Sequence, residues 1–266
     1  MHRIKLWIPA VIAVMSTVTA QPPVLARVTP AGYRDVGITV PANASIPPAT
    51  WVNDDTGKRR SMRELVGPST VLIFADYACR TLCGPIVAFV TSALEQSGLR
   101  PGEQFRLLVV GLDAKDGASD ALDMRKKYLE RGSPLDRASQ FVTADRPTVQ
   151  LLTAALGYRY AYDEDSDTYI HPAAAYVLNS DARVARVLTG IGLSAQDIRL
   201  ALIEASEGKI GTFRDQIRLL CSGFDPAHGT YNLMIWRVLE LATLATALTL
   251  AGGIGLLFLT GRRRPA

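Results

Sequence analysis

Two cysteines lie close together at the point where one apolar run ends and another begins. The stretch "VLIFADYACRTLCGPIVAFV" covers residues 71–90 and contains Cys79 and Cys83, separated by three residues. The chain of 266 residues has three cysteines in all, too few for a protein held together by a disulfide framework. Thiolates are both redox nucleophiles and soft metal ligands, so the pair predicts either thiol–disulfide chemistry or a metal site.

The elements around the pair alternate between strands and helices. The hydrophobic pattern predicts a hairpin at 50–65, a strand at 70–76, a helix at 85–96, a strand at 105–112, helices at 119–131 and 148–156, a short strand at 157–162, a hairpin at 173–178 and 183–189, and a helix capped by Ser194. This order indicates an α/β protein with a mixed sheet. Cysteines at the first strand-to-helix junction favour a thioredoxin-like fold.

The position of the two thiols favours the thiolate form. If the chain becomes helical near Cys83, both sulfurs lie by a helix N-terminus, where the dipole and free N–H groups stabilise negative charge. Arg80 acts in the same direction. The alternative is an inert disulfide, which would gain little stability because the loop that it closes is short. The pair alone does not decide between redox and metal chemistry, and its spacing differs from the C-x2-C of thioredoxin-type motifs.

A third ligand would favour a metal site, and His171 is the candidate. It lies in "DSDTYIHPAAAYVLN", just before the first strand of the late hairpin. In a thioredoxin-like topology, this loop lies at the same sheet edge as the cysteine pair. Two thiolates and one imidazole suit Cu(I), whereas a structural zinc ion takes four ligands. Taken alone, His171 could equally be a surface or capping histidine.

With these residues identified, the chain resembles the Sco/SenC proteins, thioredoxin-like copper-binding factors that help to assemble the binuclear copper centre of cytochrome c oxidase. It is most similar to the bacterial subgroup with a C-terminal membrane helix. The similarity runs from about Asp35 to Tyr231 and includes "DVGI", "DDTGKRRSMRELVG", the cysteine pair and "ALIEASEGKIGTFRDQIRLLCSGFDPAHGTYN". The resemblance implies that Cys79, Cys83 and His171 are the copper ligands.

The chain also departs from the family pattern. Arg80 stands where the family usually has proline, and Gly84 precedes Pro85 where the proline often follows the second cysteine at once. Neither change removes a ligand. Asp76 and Asp167 lie near the ligands in sequence, and we expect them to tune the site without binding the metal.

The resemblance implies a membrane-tethered periplasmic copper chaperone that serves subunit II of a haem–copper oxidase or a similar copper-accepting protein. The rival interpretation is an enzyme, a periplasmic thiol–disulfide oxidoreductase that uses Cys79 or Cys83 as its nucleophile. His171 discriminates between them, because copper capture needs it and disulfide exchange does not. A peroxiredoxin-like peroxidase fits less well, since the two cysteines are too close for a separate resolving thiol.

The two ends of the chain carry targeting signals. A basic start, a short apolar run and "VTA" predict a signal peptide at 1–20, and an uncharged apolar run followed by three arginines predicts a membrane helix at 235–260 with a cytoplasmic tail at 261–266. Between them we expect an extended arm at 21–49, the thioredoxin-like domain at 50–212 and a juxtamembrane segment at 213–234. The expected location is a single pass through the cytoplasmic membrane, with the domain in the periplasm.

The charge balance argues against a nucleic-acid partner. Five positive charges lie at Arg3, Lys5 and the arginines at 262–264, and without them the formal net charge of +4 becomes −1. Cys221 and His228, which precede the predicted membrane helix, meet no ligand spacing. The favoured interpretation is that Cys221 is a partly buried juxtamembrane cysteine that packs. The alternatives are a second, weaker copper contact and a resolving thiol.

Overall fold

The computed structural model describes residues 36–78, 84–164, 167–190, 193–207, 222–225, 230–233 and 235–261. Within these ranges the strands are β1 (Gly37–Ile38), β2 (Trp51–Asp54), β3 (Arg59–Ser61), β4 (Ser69–Ala75), β5 (Arg106–Gly111), β6 (Ser139–Thr143), β7 (Tyr158–Arg159), β8 (Ala161–Asp163), β9 (Thr168–Ile170), β10 (Ala174–Asn179), β11 (Val184–Thr189), β12 (Ser222–Asp225) and β13 (Thr230–Leu233). The helices are α1 (Met62–Leu65), α2 (Gly84–Gln96), α3 (Ala118–Tyr128), α4 (Pro134–Arg137), α5 (Arg146–Leu156), α6 (Ala195–Ala205) and α7 (Ile235–Gly261).

Seven strands form one mixed sheet in the order β11-β10-β4-β5-β6-β2-β3. Strands β4, β5 and β6 run parallel, whereas β10 pairs antiparallel with β4 on the other side. All seven residues of β4 are buried, which explains why its sequence is almost continuously apolar. The α/β architecture with a mixed sheet is therefore confirmed.

Helices cover both faces of this sheet, and the alternation of side chains along β4 supplies both cores. Val71 and Ile73 pack in a cluster with residues of α2 and α6, and Leu72 and Phe74 pack in a second cluster with residues of α5. The result is a three-layer arrangement with β4 at its centre. Because β4 is packed on both faces, it fixes the position of the residues that directly follow it.

Several predicted elements match the structure closely. The helix at 85–96 is α2, and the late hairpin is β10–β11, in which Ala174 lies opposite Thr189. Ser194 caps α6, with its Oγ accepting from the Asp197 N–H at 3.1 Å. Helix α5 begins at Arg146, two residues before the predicted start.

Gly157 ends α5 and directs the chain into β7. Its φ of 66° is left-handed, and a Cβ placed there would lie 1.9 Å from the Thr39 carbonyl oxygen. The close approach lets the Thr39 N–H donate to the Gly157 carbonyl at 2.8 Å, beside the pairing of β1 with β7. The segment around Thr39 therefore fixes the position of Tyr158.

The predicted short strand at 157–162 is in fact two strands with different partners. Strand β7 pairs with β1, and β8 pairs with β9 in a separate hairpin that leads to His171. Strand β6 was not predicted, although it lies between β5 and β2 in the main sheet.

The location predicted for the protein is contradicted. Helix α7 does form across the predicted segment, but among the described residues no helix combines the length and the apolar character needed to cross a membrane. A crossing takes about 20 consecutive apolar residues. The predicted single-pass membrane location is therefore corrected. The predicted signal peptide at 1–20 lies outside the described residues.

Candidate metal centre

The register of the sheet brings His171 to the edge at which β4 ends. Strand β10 is antiparallel to β4, and Ala175 lies opposite Ile73. Residues that precede β10 therefore lie beside residues that follow β4. His171 comes three residues before β10 and directly after β9. The structure thus places His171 at the sheet edge expected from the sequence.

Asp76 joins the two chain segments that meet at this edge. Its carboxylate is buried, with 1% of the residue exposed. Oδ1 accepts from the Ala78 N–H at 3.1 Å, and Oδ2 accepts from the Tyr169 N–H at 2.9 Å. One side chain therefore holds the segment that leads to Cys79 against the strand that leads to His171. From the sequence, Asp76 was expected to tune the site, but its hydrogen bonds to the two backbone segments could not be predicted.

His171 presents one bonded and one unbonded ring nitrogen. Nδ1 lies 2.9 Å from the Tyr158 hydroxyl and 3.2 Å from the Pro172 carbonyl oxygen. Nε2 is buried and has no hydrogen-bond partner among the described residues. Burial lowers the pKa of His171, against smaller opposing effects of the Pro172 carbonyl and of Asp76. Burial therefore favours the neutral ring, and Nε2 is left for another ligand.

Cys79 and Cys83 lie outside the described residues, as do Cys221 and His228. The described chain stops at Ala78 and resumes at Gly84, the first residue of α2. Among the described residues there is no cluster of three or more His, Cys, Asp or Glu side chains that could hold a metal ion. The predicted ligand set therefore remains a prediction, of which the structure describes only the imidazole.

A second carboxyl group, on Asp116, faces the segment that follows β4. Its Oδ2 accepts from the Tyr77 N–H at 3.4 Å. Burial raises the pKa of Asp116 to about 7, and the nearby carboxylates of Asp113 and Asp76 act in the same direction. Asp116 was not identified from the sequence, since its proximity to Tyr77 depends on the pairing of β4 with β5.

Asp167 has a different environment from the one expected. Its carboxylate is exposed, accepts a hydrogen bond from the Tyr162 hydroxyl and pairs with Lys115 Nζ at 3.2 Å. Hydrogen bonds from Tyr162 and Lys115 lower its pKa. The contacts of Asp167 are therefore with a surface lysine and tyrosine, and a tuning role for it stays a prediction.

An open groove runs beside the β8–β9 hairpin. It has a volume of about 570 Å³ and is lined by residues that include Lys115, Arg146, Tyr160, Tyr162 and Tyr169. The rings of Tyr160 and Tyr169 are 5.6 Å apart, and those of Tyr162 and Tyr169 are 5.2 Å apart. The groove thus adjoins the strand that carries the chain to His171.

Comparison with known proteins finds similarity in structure alone. No protein-family model and no curated protein sequence matches the chain. A proposed electron transfer protein from Aquifex aeolicus VF5 superposes with a TM-score of 0.57 at 20% identity, over 64% of this chain and 96% of that one. BsSco is a member of the Sco family of cytochrome c oxidase assembly proteins, and a disulfide switch was identified in it. It superposes with a TM-score of 0.52 at 20% identity, over 65% of this chain and 99% of that one.

A third similar structure holds a metal. ScoI from Arabidopsis thaliana, solved with copper bound, gives a TM-score of 0.50 at 15% identity, over 61% of this chain and 99% of that one. At these identities the likeness concerns the fold. The seven-stranded mixed sheet, the helices on both faces and these superpositions agree, and the chain has the thioredoxin-like fold of the Sco proteins.

Proposed function

We propose that the chain is a copper-binding protein of the Sco family and assists in the assembly of the copper centre of cytochrome c oxidase. Cys79, Cys83 and His171 would hold the copper ion. The observation that carries the proposal is the buried Nε2 of His171, which has no partner among the described residues. A buried polar atom without a partner is costly, and a bound ion is one of the features that explain it; a ring nitrogen, unlike a buried hydroxyl, is also a common metal ligand. The fold shared with Sco proteins supports the same conclusion.

The residues at this sheet edge fit Cu(I). The imidazole is neutral because burial lowers its pKa, and a neutral imidazole is the form that binds metals. The two thiols flank the described chain directly, Cys79 after Ala78 and Cys83 before Gly84. Thiolate and imidazole donors in a three-ligand set suit a soft monovalent ion.

Asp76 has a supporting role in this proposal. By accepting from the backbone on both sides, it holds the segment before Cys79 near the segment before His171. It contributes hydrogen bonds to backbone N–H groups and is not a ligand. In the proposed site, this arrangement would bring together donors that lie far apart in sequence.

Copper is the cargo in this function and must leave the site again. We infer that thiolates or imidazoles of a recipient replace the three ligands one at a time, so that the ion is never released as a free aqueous species. The recipient would be subunit II of cytochrome c oxidase or a similar copper-accepting protein. A site with few ligands at the edge of the sheet suits such an exchange.

The test is Cu(I) binding by the reduced full chain, compared with the His171→Ala variant. We expect one copper ion with thiolate-to-copper charge transfer in the wild type, and loss or marked weakening in the variant. His228→Ala is the matched control, because it removes the other histidine downstream of the predicted signal peptide. It should keep the tightly bound copper ion, even if His228 adds a second, weaker contact. Equal binding by wild type and His171→Ala would refute the proposed ligand set.

Thiol–disulfide exchange is the second candidate function. The thioredoxin-like fold, and the disulfide switch identified in BsSco, favour it. In that function the thiolate of Cys79 or Cys83 would attack a target disulfide and form a mixed disulfide with one target sulfur, releasing the other as a thiol. The second cysteine would then attack the mixed disulfide, so that the pair is oxidised to a Cys79–Cys83 disulfide and the target leaves as a dithiol. If wild type and His171→Ala both bind copper poorly and both reduce a model disulfide equally fast, the reductase function replaces the copper function.

A further inference from the structure

The hydroxyl of Tyr158 lies between His171 and a backbone carbonyl. It is 2.9 Å from Nδ1 of His171 and 2.9 Å from the carbonyl oxygen of Pro172. Both distances are those of good hydrogen bonds. Tyr158 comes 13 residues before His171 and belongs to a different strand, β7, so this contact is created by the fold.

The proton on the tyrosine determines which nitrogen of His171 carries hydrogen. A carbonyl oxygen can only accept, and a phenol has one proton to donate. If Tyr158 donates to Pro172, its oxygen accepts from Nδ1–H, and both contacts are hydrogen bonds. If it donates to Nδ1 instead, the ring proton lies on Nε2, a buried position with no acceptor among the described residues. The first arrangement makes one more hydrogen bond and buries no unpaired N–H group.

We propose that Tyr158 is a positioning residue that holds His171 in the Nδ1–H tautomer and so keeps the lone pair of Nε2 available to a metal ion. This inference concerns the same site and rests on the proposed function. A second hydrogen bond that fixes the tautomer and the orientation of a metal-binding imidazole is a general device in metalloproteins. The contact with the Pro172 carbonyl, 3.2 Å from Nδ1, acts in the same direction.

The residues packed around Tyr158 hold its side chain in one orientation. The residue is 3% exposed, and its ring centroid lies 4.7 Å from that of Phe74 and 6.2 Å from that of Tyr176. Its backbone pairs with Ile38, directly after the left-handed turn at Gly157. Packing on the ring and pairing of the backbone leave the hydroxyl one position, and this position faces His171.

The test compares Tyr158→Phe with a matched control, Tyr176→Phe. Tyr176 lies in the same aromatic cluster, but its buried hydroxyl has no hydrogen-bond partner among the described residues. Both variants lose one buried oxygen, and only the first loses a contact with His171. Nitrogen-15 NMR of the reduced, metal-free full chain, above the pH at which imidazole titrates, reports which ring nitrogen carries the proton. The His171→Ala variant assigns the signals.

We expect the Nδ1–H tautomer in the wild type and in Tyr176→Phe, and a shift towards Nε2–H in Tyr158→Phe. We also expect Cu(I) affinity, measured by competition with a chromophoric chelator, to fall about 10- to 100-fold in Tyr158→Phe and to be unchanged in the control. An Nε2–H tautomer in the wild type would overturn the inference without any variant. An unchanged tautomer and unchanged affinity in a folded Tyr158→Phe protein would overturn it as well.

The two readouts separate this inference from the proposed function. If the wild type has the Nδ1–H tautomer, loses it in Tyr158→Phe and yet binds no copper, the copper function fails while the role of Tyr158 in setting the tautomer stands. If copper binds through His171 with the proton distributed alike in all three proteins, the copper function stands and Tyr158 has no positioning role.

Discussion

Replacing Asp116 by asparagine should stabilise the protein near neutral pH and change its stability little near pH 4. The pKa of this carboxyl is raised from 3.8 to about 7, first by burial and then by Asp113 and Asp76. Between these values the folded chain binds the proton and the unfolded chain does not, so the free energy of unfolding of the wild type falls as pH rises. Asparagine cannot ionise, so in the variant the free energy of unfolding no longer falls with pH for this reason. It can still accept the hydrogen bond from the Tyr77 N–H.

The magnitude follows from the two pKa values. At about 1.4 kcal/mol for each unit, the difference corresponds to an upper limit of about 4 kcal/mol. The carboxyl of Asp116 is only partly buried, so screening by solvent reduces the expected gain at pH 8 to about 1–2 kcal/mol. For a chain of this size, that corresponds to a rise of about 2–8 °C in the melting temperature.

The assay is urea unfolding of the reduced full chain, followed by circular dichroism at several values between about pH 4 and about pH 8. The difference between Asp116→Asn and wild type should grow steadily with pH. Asp123→Asn is the control. Asp123 is exposed on α3, just after the loop that holds Asp116, and among the described residues its side chain pairs only with Lys126 Nζ, at 3.2 Å. A gain of equal size at both ends of the range, or a loss at pH 8, would refute the reasoning.

Three further substitutions test the supports of the site. Gly157→Ala should lower the free energy of unfolding by about 2–4 kcal/mol, because alanine is strained in the left-handed conformation and its Cβ would clash with Thr39. Gly132 is also left-handed but has open space around it, so Gly132→Ala should lower that free energy by only about 1–2 kcal/mol in thermal unfolding. Equal losses in the two variants would exclude the clash. Asp76→Ala should lower the free energy of unfolding in urea by about 2–3 kcal/mol, because the backbone N–H groups of Ala78 and Tyr169 lose the buried carboxylate that accepts from them; an unchanged urea midpoint would contradict this role. The pKa of His171 is lower in the folded chain than in the unfolded chain, so as pH falls the unfolded chain binds this proton at a higher pH. The free energy of unfolding of the wild type should therefore fall as pH drops below about 6.5. His171→Gln should flatten that slope in the same titration, and an unaltered slope would refute the assignment.

Strand β4 was predicted well because its burial is complete. Strand β4 is covered on both faces, so its apolar run needs no knowledge of its neighbours. Strand β6 begins with Ser139 and Gln140, and its first residue is buried because the Ser139 hydroxyl donates to the Leu135 carbonyl at 2.6 Å. A polar residue satisfied by a nearby turn is not distinguishable, in one sequence, from an exposed one.

In the candidate site, too, some residues could be identified from the sequence and others only from the structure. His171 could be found because few histidines are present and because it precedes a recognisable strand. Its contact with Tyr158 depends on the turn at Gly157, the pairing with β1 and the packing against Phe74. Each of these is a tertiary interaction between segments far apart in sequence. From the sequence, Tyr158 could therefore be seen only as a residue of the predicted short strand at 157–162.

The bond between Asp76 and the Tyr169 N–H spans 93 positions of the chain, and this separation has a consequence for the order of events during synthesis. The cysteine pair leaves the ribosome long before His171 does. Until β10 takes its place beside β4, the thiols have no imidazole near them, so any copper caught early would have two ligands only. Closing so long a loop is a slow step. Completion of the proposed site would therefore coincide with completion of the sheet, and a chain that carries copper through all three ligands would be one that has finished folding.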